Sequence, residues 1–288
     1  MTSRADYYRQ MPEPAAAPVT TIRPPRGWAP LDLRELLAAH ELLYFLVLRN
    51  LKLRYKQTVL GGAWALLQPL LTMAVFSVIF GRLARLGSDG LPYPVFALAA
   101  LVPWTYFANA LAQAGNSLVE QHQLLTKVYF PRLLLPLAAV IAGLVDLLVS
   151  LLLLMVVLGW YGMPPSAKLL ALPAFALLAA AAAFAPALWL AALNVRYRDV
   201  RYVIPFLVQI WLFATPVAYS TSLVPDRWRA LYALNPMVAV VDGFRWMVAP
   251  DSHFPWWEVT VAVGAIALVL VTGLYFFRRM ERIFADVV

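Results

Sequence analysis

The chain has 288 residues, of which 62% are hydrophobic and 13% are charged, against roughly 25% charged residues in an ordinary soluble domain. The net charge of +8 does not indicate a nucleic-acid-binding protein, because the basic residues fall in loops that flank long apolar runs. The chain has no cysteine, which excludes a disulfide framework, a thiolate metal site and a cysteine nucleophile.

The first 60 residues precede the apolar runs. Residues 1–30 are rich in Pro, Ala and Arg and contain no apolar core of a signal peptide, so we predict a disordered tail. Residues 31–60 mix apolar and charged residues with helical spacing, which predicts an amphipathic helix at the membrane interface. The cations that we expect among anionic headgroups are Arg49, Lys52, Arg54 and Lys56.

Six apolar segments within residues 61–288 are long enough to cross a bilayer core, which takes roughly 20 helical residues. They are 63–80, 91–119, 133–157, 169–195, 202–224 and 259–277. The sequence therefore predicts an all-α integral membrane protein with six transmembrane helices.

Three features within these segments carry further predictions. Pro103 in the second segment predicts a kink or break. Alanines from Ala179 to Ala192 in the fourth predict a close helix-packing face. Asp146 in the third is expected to be a structural hydrogen-bond anchor facing a partner.

The loops distribute Lys and Arg unequally across the membrane. The side that carries both termini has twelve: Arg49, Lys52, Arg54, Lys56, Lys127, Arg132, Arg196, Arg198, Arg201, Arg278, Arg279 and Arg282. The other side has six: Arg82, Arg85, Lys168, Arg227, Arg229 and Arg245. The positive-inside rule therefore predicts a multi-pass membrane protein with both termini in the cytoplasm.

Two connecting segments have distinctive patterns. Residues of about 117–132 form an amphipathic cytoplasmic stretch that ends at a proline, which is typical of a short docking helix for a soluble partner. Residues of about 220–256 are external and contain an apolar run, 230–241, that is too short to span and is interrupted by Asn235 and Pro236. This pattern predicts two short re-entrant helices at a pore mouth, because non-helical backbone at membrane depth needs surrounding protein or water.

Short motifs follow one another at matching topological positions: GGAWALLQP at 61–69, LTKVYFPR at 125–132, NVRYRD at 194–199, TPVAY at 215–219, NPM at 235–237 and GFR at 243–245. Together they resemble polysaccharide-exporting ABC transporter permeases of the O-antigen, teichoic-acid and capsule type, within the type-2 ABC exporter superfamily. The resemblance runs from about Arg49 to the C-terminus.

The resemblance implies a transport subunit and not an enzyme, with ATP and Mg bound by a separate nucleotide-binding subunit. The sequence agrees, since it contains no G-x-x-x-x-G-K-[ST] motif. The resemblance further implies a homodimer with two ATPase copies in the bacterial inner membrane, exporting lipid-linked polysaccharide. The alternative is the same architecture exporting a small drug or lipid. A membrane enzyme would need acids or histidines clustered at one face, and His40, His122 and His253 share no metal-ligand spacing.

The resemblance also assigns candidate residues. The coupling helix, about 117–132, is predicted to contact the ATPase through Glu120, His122, Lys127, Tyr129 and Arg132. The gate is predicted to include Trp228, Asn235, Pro236 and Arg245, and Arg245 is a candidate for binding a lipid diphosphate or acidic sugar. Aromatic rings pack on sugar C–H faces, so the predicted channel wall is Tyr93, Trp104, Tyr106, Phe107, Trp211, Phe213 and Tyr219. The aromatic belt at the membrane interfaces and core packing are the alternatives for each aromatic residue taken singly, whereas the cluster at 104–107 is assigned to the channel.

Overall fold

The computed structural model describes residues 37–56, 63–127, 130–250 and 252–287, without the side chains at 55, 63, 65, 125–127 and 282–287. These residues belong to one unit, Leu33–Val288. The predicted tail 1–30 and the predicted contact residue Tyr129 lie outside the described residues, and so does the side chain of Lys127.

The described residues form α-helices and short π and 3-10 segments, with no β-strand among them. The helices are α1 His40–Tyr55, α2 Ala63–Phe76, α3 Tyr93–Glu120, α4 His122–Lys127, α5 Leu134–Trp160, α6 Leu172–Arg196, α7 Val200–Phe213, α8 Asp226–Ala233, α9 Pro236–Val248 and α10 Trp256–Val287. A π-helix, Ser77–Leu83, continues α2, and the 3-10 segments Ala167–Ala171 and Thr221–Leu223 precede α6 and α8.

The central element of the fold is α3. It packs along most of its length against α5 and α6 and also contacts α2, α7 and α9. Of its 28 residues, 18 are buried, because a helix that is apolar on nearly every side is stable only when other helices cover it. The helix continues through Pro103 without the break that the sequence allowed, since neighbouring helices hold the chain on both sides of the proline.

Five helical stretches have the length and hydropathy of membrane spans within the described chain: Leu66–Leu83, Tyr93–Glu120, Leu134–Trp160, Ala167–Arg196 and Trp256–Glu281. The predicted fifth span, 202–224, is shorter than expected. Its helix, α7, has 14 residues, which reach about 21 Å at 1.5 Å per residue. It ends before Pro216, which cannot donate the next helical hydrogen bond. The all-α integral membrane class is confirmed, and the chain after α7 forms turns leading to α8.

Small residues allow the close packing of α6. Ala182, Ala183 and Ala187 are buried, and α6 packs against both α3 and α10, which confirms the predicted packing face. A glycine of α9 also lies against α6: a Cβ built on Gly243 would come within 1.9 Å of the Phe175 ring. The aromatic ring therefore occupies the space that any larger residue at 243 would need.

Candidate functional site

The two short helices predicted before the last span are α8 and α9, and their junction is at Asn235. Its side-chain oxygen accepts a hydrogen bond from the backbone N–H of Met237 at 3.1 Å, and Pro236 is the first residue of α9. This is the N-cap arrangement that starts a helix with proline in its first turn. α9 packs against α3, α6 and α10, so protein surrounds the non-helical junction.

Asn235 also binds the end of α7. The indole Nε1 of Trp211 donates to Asn235 Oδ1 at 2.9 Å. The Asn235 amide nitrogen donates to the backbone oxygen of Ala214 and to Thr215 Oγ1, both at 3.0 Å. One side chain thus caps α9 and attaches it to α7, which gives the predicted gate residue a structural role at the junction.

Tyrosine hydroxyls hold the turns that follow α7. Tyr93 of α3 donates to the backbone oxygen of Ala218 at 2.7 Å. Tyr219 donates to the backbone oxygen of Phe213 at 2.9 Å, and its hydroxyl lies 2.8 Å from that of Tyr232 in α8. These bonds connect the turns to α3 on one side and to α8 on the other.

Arg245 is the buried centre of this outer region, with 7% of its surface exposed. Its guanidinium donates to the backbone oxygens of Val217 at 3.0 Å and Tyr219 at 3.2 Å. It also lies 3.5 Å from the centre of the Phe96 ring. In this structure the donors of Arg245 are directed at carbonyls of the same chain and its face lies against an aromatic ring, and binding of a lipid diphosphate or acidic sugar stays a prediction.

Carboxylates of the outer region are also held by hydrogen bonds. The Thr221 hydroxyl lies 2.8 Å from both carboxylate oxygens of Asp242, and Asp242 lies 4.0 Å from Arg245. Burial raises the pKa of Asp242, and Arg245 and then the Thr221 hydroxyl oppose the rise. Asp89, in the α2–α3 connection, accepts hydrogen bonds from the hydroxyls of Ser220 and Ser222.

The predicted gate residue Trp228 lies in α8. Its side chain is half exposed, beneath the guanidinium of Arg227.

The predicted coupling segment, about 117–132, includes the end of α3 and the short helix α4. Glu120 and His122 are exposed there, as a docking surface requires. Arg49 of α1 donates to the side chain of Gln121 at 2.9 Å. Arg132 turns towards α10 and donates to the backbone oxygen of Glu281.

Among the four cations predicted at the membrane interface, Arg54 is directed towards other helices of the bundle. It forms an ion pair with Asp146 of α5 and a hydrogen bond with Gln113 of α3. The other three cations are exposed. A lone carboxylate in an apolar span predicts a partner, but the sequence does not indicate which basic residue supplies it.

The predicted channel aromatics separate into two groups. Trp104, Tyr106 and Phe107 are 6%, 2% and 0% exposed, and the Tyr106 hydroxyl donates to the backbone oxygen of Val140 at 3.2 Å. Neighbouring helices cover these three side chains within the single subunit, with Phe107 against Trp211 of α7, and their assignment to the channel stays a prediction. Phe213 is 67% exposed. Half-buried positions hold Tyr93, Trp211 and Tyr219.

A buried central helix, several apolar spans and a pair of short, internally braced helices before the last span define a multi-pass membrane transport protein. The sequence pattern of the ABC-2 type transporter family matches residues 41–248. The chain belongs to the ABC-2 type transporter family.

Individual relatives cover most of the chain. The O-antigen export system permease protein RfbA of Myxococcus xanthus is 32% identical over 255 residues, which cover 86% of this chain and 96% of that protein. An O-antigen export system permease protein RfbA of Klebsiella pneumoniae is 25% identical over 249 residues, with 86% and 95% covered. The inner membrane transport permease YadH of Escherichia coli K12 is 27% identical over 223 residues, with 73% and 84% covered.

Family membership confirms the resemblance seen in the sequence motifs. The chain is the membrane permease subunit of an ABC transporter, and ATP hydrolysis is carried out by a separate ATPase subunit. The protein therefore couples ATP hydrolysis in a partner subunit to the movement of a substrate across a membrane.

Proposed function

We propose that this chain is the permease of an exporter that moves lipid-linked, O-antigen-like polysaccharide from the cytoplasm to the outer face of the inner membrane. The observation that carries this proposal is the alignment of O-antigen export permeases over nearly their whole lengths. The relative named only as a transport permease aligns over less of both chains and names no substrate, so export of a small drug or lipid has weaker support.

Two copies of the chain enclose the transport path in this proposal. α2 and α7 both pack on α3. α2 lies on the side of α5, and α7 lies on the side of α6. The outward face of α7 is exposed and includes Tyr202, Phe206, Ile210 and Phe213. Gln209 is also exposed on this helix, and a glutamine facing hydrocarbon would lose its hydrogen bonds to water. This face favours contact with a second subunit and the path between them.

The ATPase dimer docks on the segment around α4, where its two copies meet the two permeases. Glu120 and His122 are exposed in this segment, and Arg132, which donates to the backbone oxygen of Glu281, completes the predicted set together with Lys127 and Tyr129. A displacement of this segment acts directly on α3, because one residue separates the two helices. Mg and ATP are bound by the partner, and the permease supplies only the moving helices.

The orientation follows from the positive-inside rule. Arg54 and Arg245 are engaged inside the protein, so they are removed from the count of loop cations. Twelve minus one against six minus one leaves eleven on the side of the termini and five on the other. The bias persists, which supports a topology with both termini and α4 in the cytoplasm and α8 and α9 at the outer face.

The test is rapid depletion of the chain in cells whose surface polysaccharide is pulse-labelled. We expect labelled, lipid-linked polymer to accumulate inside the cell within the first rounds of synthesis and to return to the surface when the intact gene is expressed. Depletion of the ATPase subunit is the matched control and should give the same distribution. Normal surface labelling after complete depletion would contradict the proposal and favour a small-molecule or lipid cargo.

A further inference from the structure

The helices around α3 cover one of its faces only in part, and that face carries five polar residues. Thr105, Asn109, Gln113, Asn116 and Glu120 recur at spacings of three or four residues, which places them on one side of a helix. Asn109 and Glu120 are exposed and the other three are half-buried, in a helix whose remaining residues are mostly buried. We call these five residues the polar stripe of α3.

The polar stripe reaches the middle of the membrane. Asn109 lies eleven residues before the end of α3, about 16 Å at 1.5 Å per residue, within a hydrocarbon core of about 30 Å. Towards the cytoplasm, Gln113 binds Arg54, and Asn116 accepts a hydrogen bond from Asn194 of α6 at 2.8 Å. In the part of the chain that the structure describes, the Asn109 amide has no hydrogen-bond partner, so lipid is an unfavourable neighbour for it.

The helices α2 and α7, which pack on α3, expose apolar side chains. They include Leu71 and Val75 of α2 and Phe206 and Ile210 of α7. The exposed residues of α5, such as Leu148, are apolar like the lipid that they are suited to meet. The exposed amide of Asn109 lies at mid-membrane depth on the mostly buried helix α3. Its surroundings therefore differ from those of the apolar side chains that the outer helices expose.

We infer that the polar stripe is the hydrated floor of the transport path, where hydroxyl groups of a sugar chain exchange hydrogen bonds with Thr105, Asn109 and Gln113. This inference rests on the proposed function and replaces the buried aromatics at 104–107 as the contact surface on α3. From Thr105 to Asn116 the stripe is uncharged, and each amide both donates and accepts hydrogen bonds. Such groups suit a neutral polyhydroxylated chain that must slide, because their hydrogen bonds exchange readily and the charge of Arg54 beside Gln113 is paired with Asp146.

The first test uses the natural absence of cysteine from this chain. Asn109→Cys and, as control, Leu148→Cys are made in the full transporter with its ATPase and treated in open membranes with a water-soluble maleimide, which reacts only with a thiolate in water. Leu148 is 58% exposed in the middle of α5, so both positions are sterically open in the subunit. We expect at least tenfold faster labelling at position 109. Equal rates, or disulfide-linked dimers through position 109 in place of labelling, would overturn the inference.

The second test separates this inference from the proposed function. Asn109→Leu keeps the branching at Cγ without hydrogen-bonding groups, and we expect it to lower polymer export at least tenfold, whereas Asn109→Gln retains most export. Thermal unfolding of both purified complexes establishes that they are folded. Export by the wild-type chain together with undiminished export by the folded Asn109→Leu variant would overturn the polar stripe alone. Absence of export by the wild-type chain would overturn the proposed function.

Discussion

The two ends of the helix bundle are held together in different ways. At the end that carries α8 and α9, Arg245 is buried and donates to backbone oxygens of the turns after α7. At the end that carries α4, which is the cytoplasmic end in the proposed topology, Arg49 reaches Gln121 by an exposed contact between side chains. Buried hydrogen bonds are costly to leave unmade, whereas exposed ones exchange with water at little cost. We infer that the gate moves as a braced unit and that the cytoplasmic attachments rearrange when the ATPase acts.

Loss of the buried cation should produce the largest effect. Arg245→Leu removes the donors to Val217 and Tyr219 and leaves Asp242 buried without its cation. We expect a loss of about 3–5 kcal/mol in the free energy of unfolding, as for one partner removed from a buried ion pair. Thermal unfolding of the purified complex measures it. Arg229→Leu is the control, because its ion pair with Asp226 is exposed on α8. Equal stability of the two variants would contradict a buried outer brace.

A glycine in the gate gives the next largest effect. Gly243→Ala forces a methyl group against the Phe175 ring, and overpacking of this kind costs roughly 1–3 kcal/mol. Phe175→Leu in the same chain should restore part of the loss. Gly264→Ala in α10 is the matched control, because a Cβ at that position meets no atom within 4 Å. If both alanine variants unfold at the same temperature, α6 does not constrain α9 as described.

The ion pair of α1 should have an intermediate effect. Arg54→Ala leaves the Asp146 carboxylate in the membrane without its cation, and we expect a loss of about 1–2 kcal/mol. This is less than for a fully buried pair, because the two side chains are 22% and 18% exposed. Lys52→Ala, on the exposed side of the same helix, should be neutral. Additive losses for Arg54→Ala and Asp146→Asn in a double-mutant cycle would show that the pair contributes no coupling energy.

The smallest change in stability is expected at the cytoplasmic surface, where the effect should fall on coupling. Arg49→Ala removes one exposed hydrogen bond, worth about 0.5 kcal/mol or less. Lys127→Glu reverses a charge in the predicted docking segment. For both variants we expect reduced stimulation of the ATPase by substrate at nearly unchanged unfolding temperature. Wild-type stimulation with retained export would show that these residues do not transmit the ATPase movement.

Local rules predicted the elements of this protein well. The apolar runs located the long helices, and the Asn-Pro dipeptide located the junction of α8 and α9, because N-capping and proline at the first helical turn are properties of adjacent residues. The predicted fifth span was too long, since hydropathy continues past Pro216 whereas the helix does not.

Contacts between distant residues could not be predicted in the same way. Four α1 cations have similar surroundings in the sequence, so nothing indicates that Arg54 alone meets Asp146, 92 positions later. The aromatic cluster at 104–107 could not be assigned either, because a helix that is apolar on nearly every side does not reveal which face its neighbours cover. The five residues of the polar stripe recur at helical spacing in the sequence. Only their exposure, which the structure gives, distinguishes them from an internal hydrogen-bonded face.

The most direct test of the account uses inverted inner-membrane vesicles that contain the permease and its ATPase, with labelled lipid-linked polysaccharide supplied at the exposed cytoplasmic face. ATP-dependent transfer of the polymer into the vesicle, where an added glycosidase cannot reach it, is the predicted result. Vesicles that lack only this chain should leave the polymer accessible. Equal protection with and without the chain, or transport of small amphiphilic compounds while the polymer stays outside, would contradict the account.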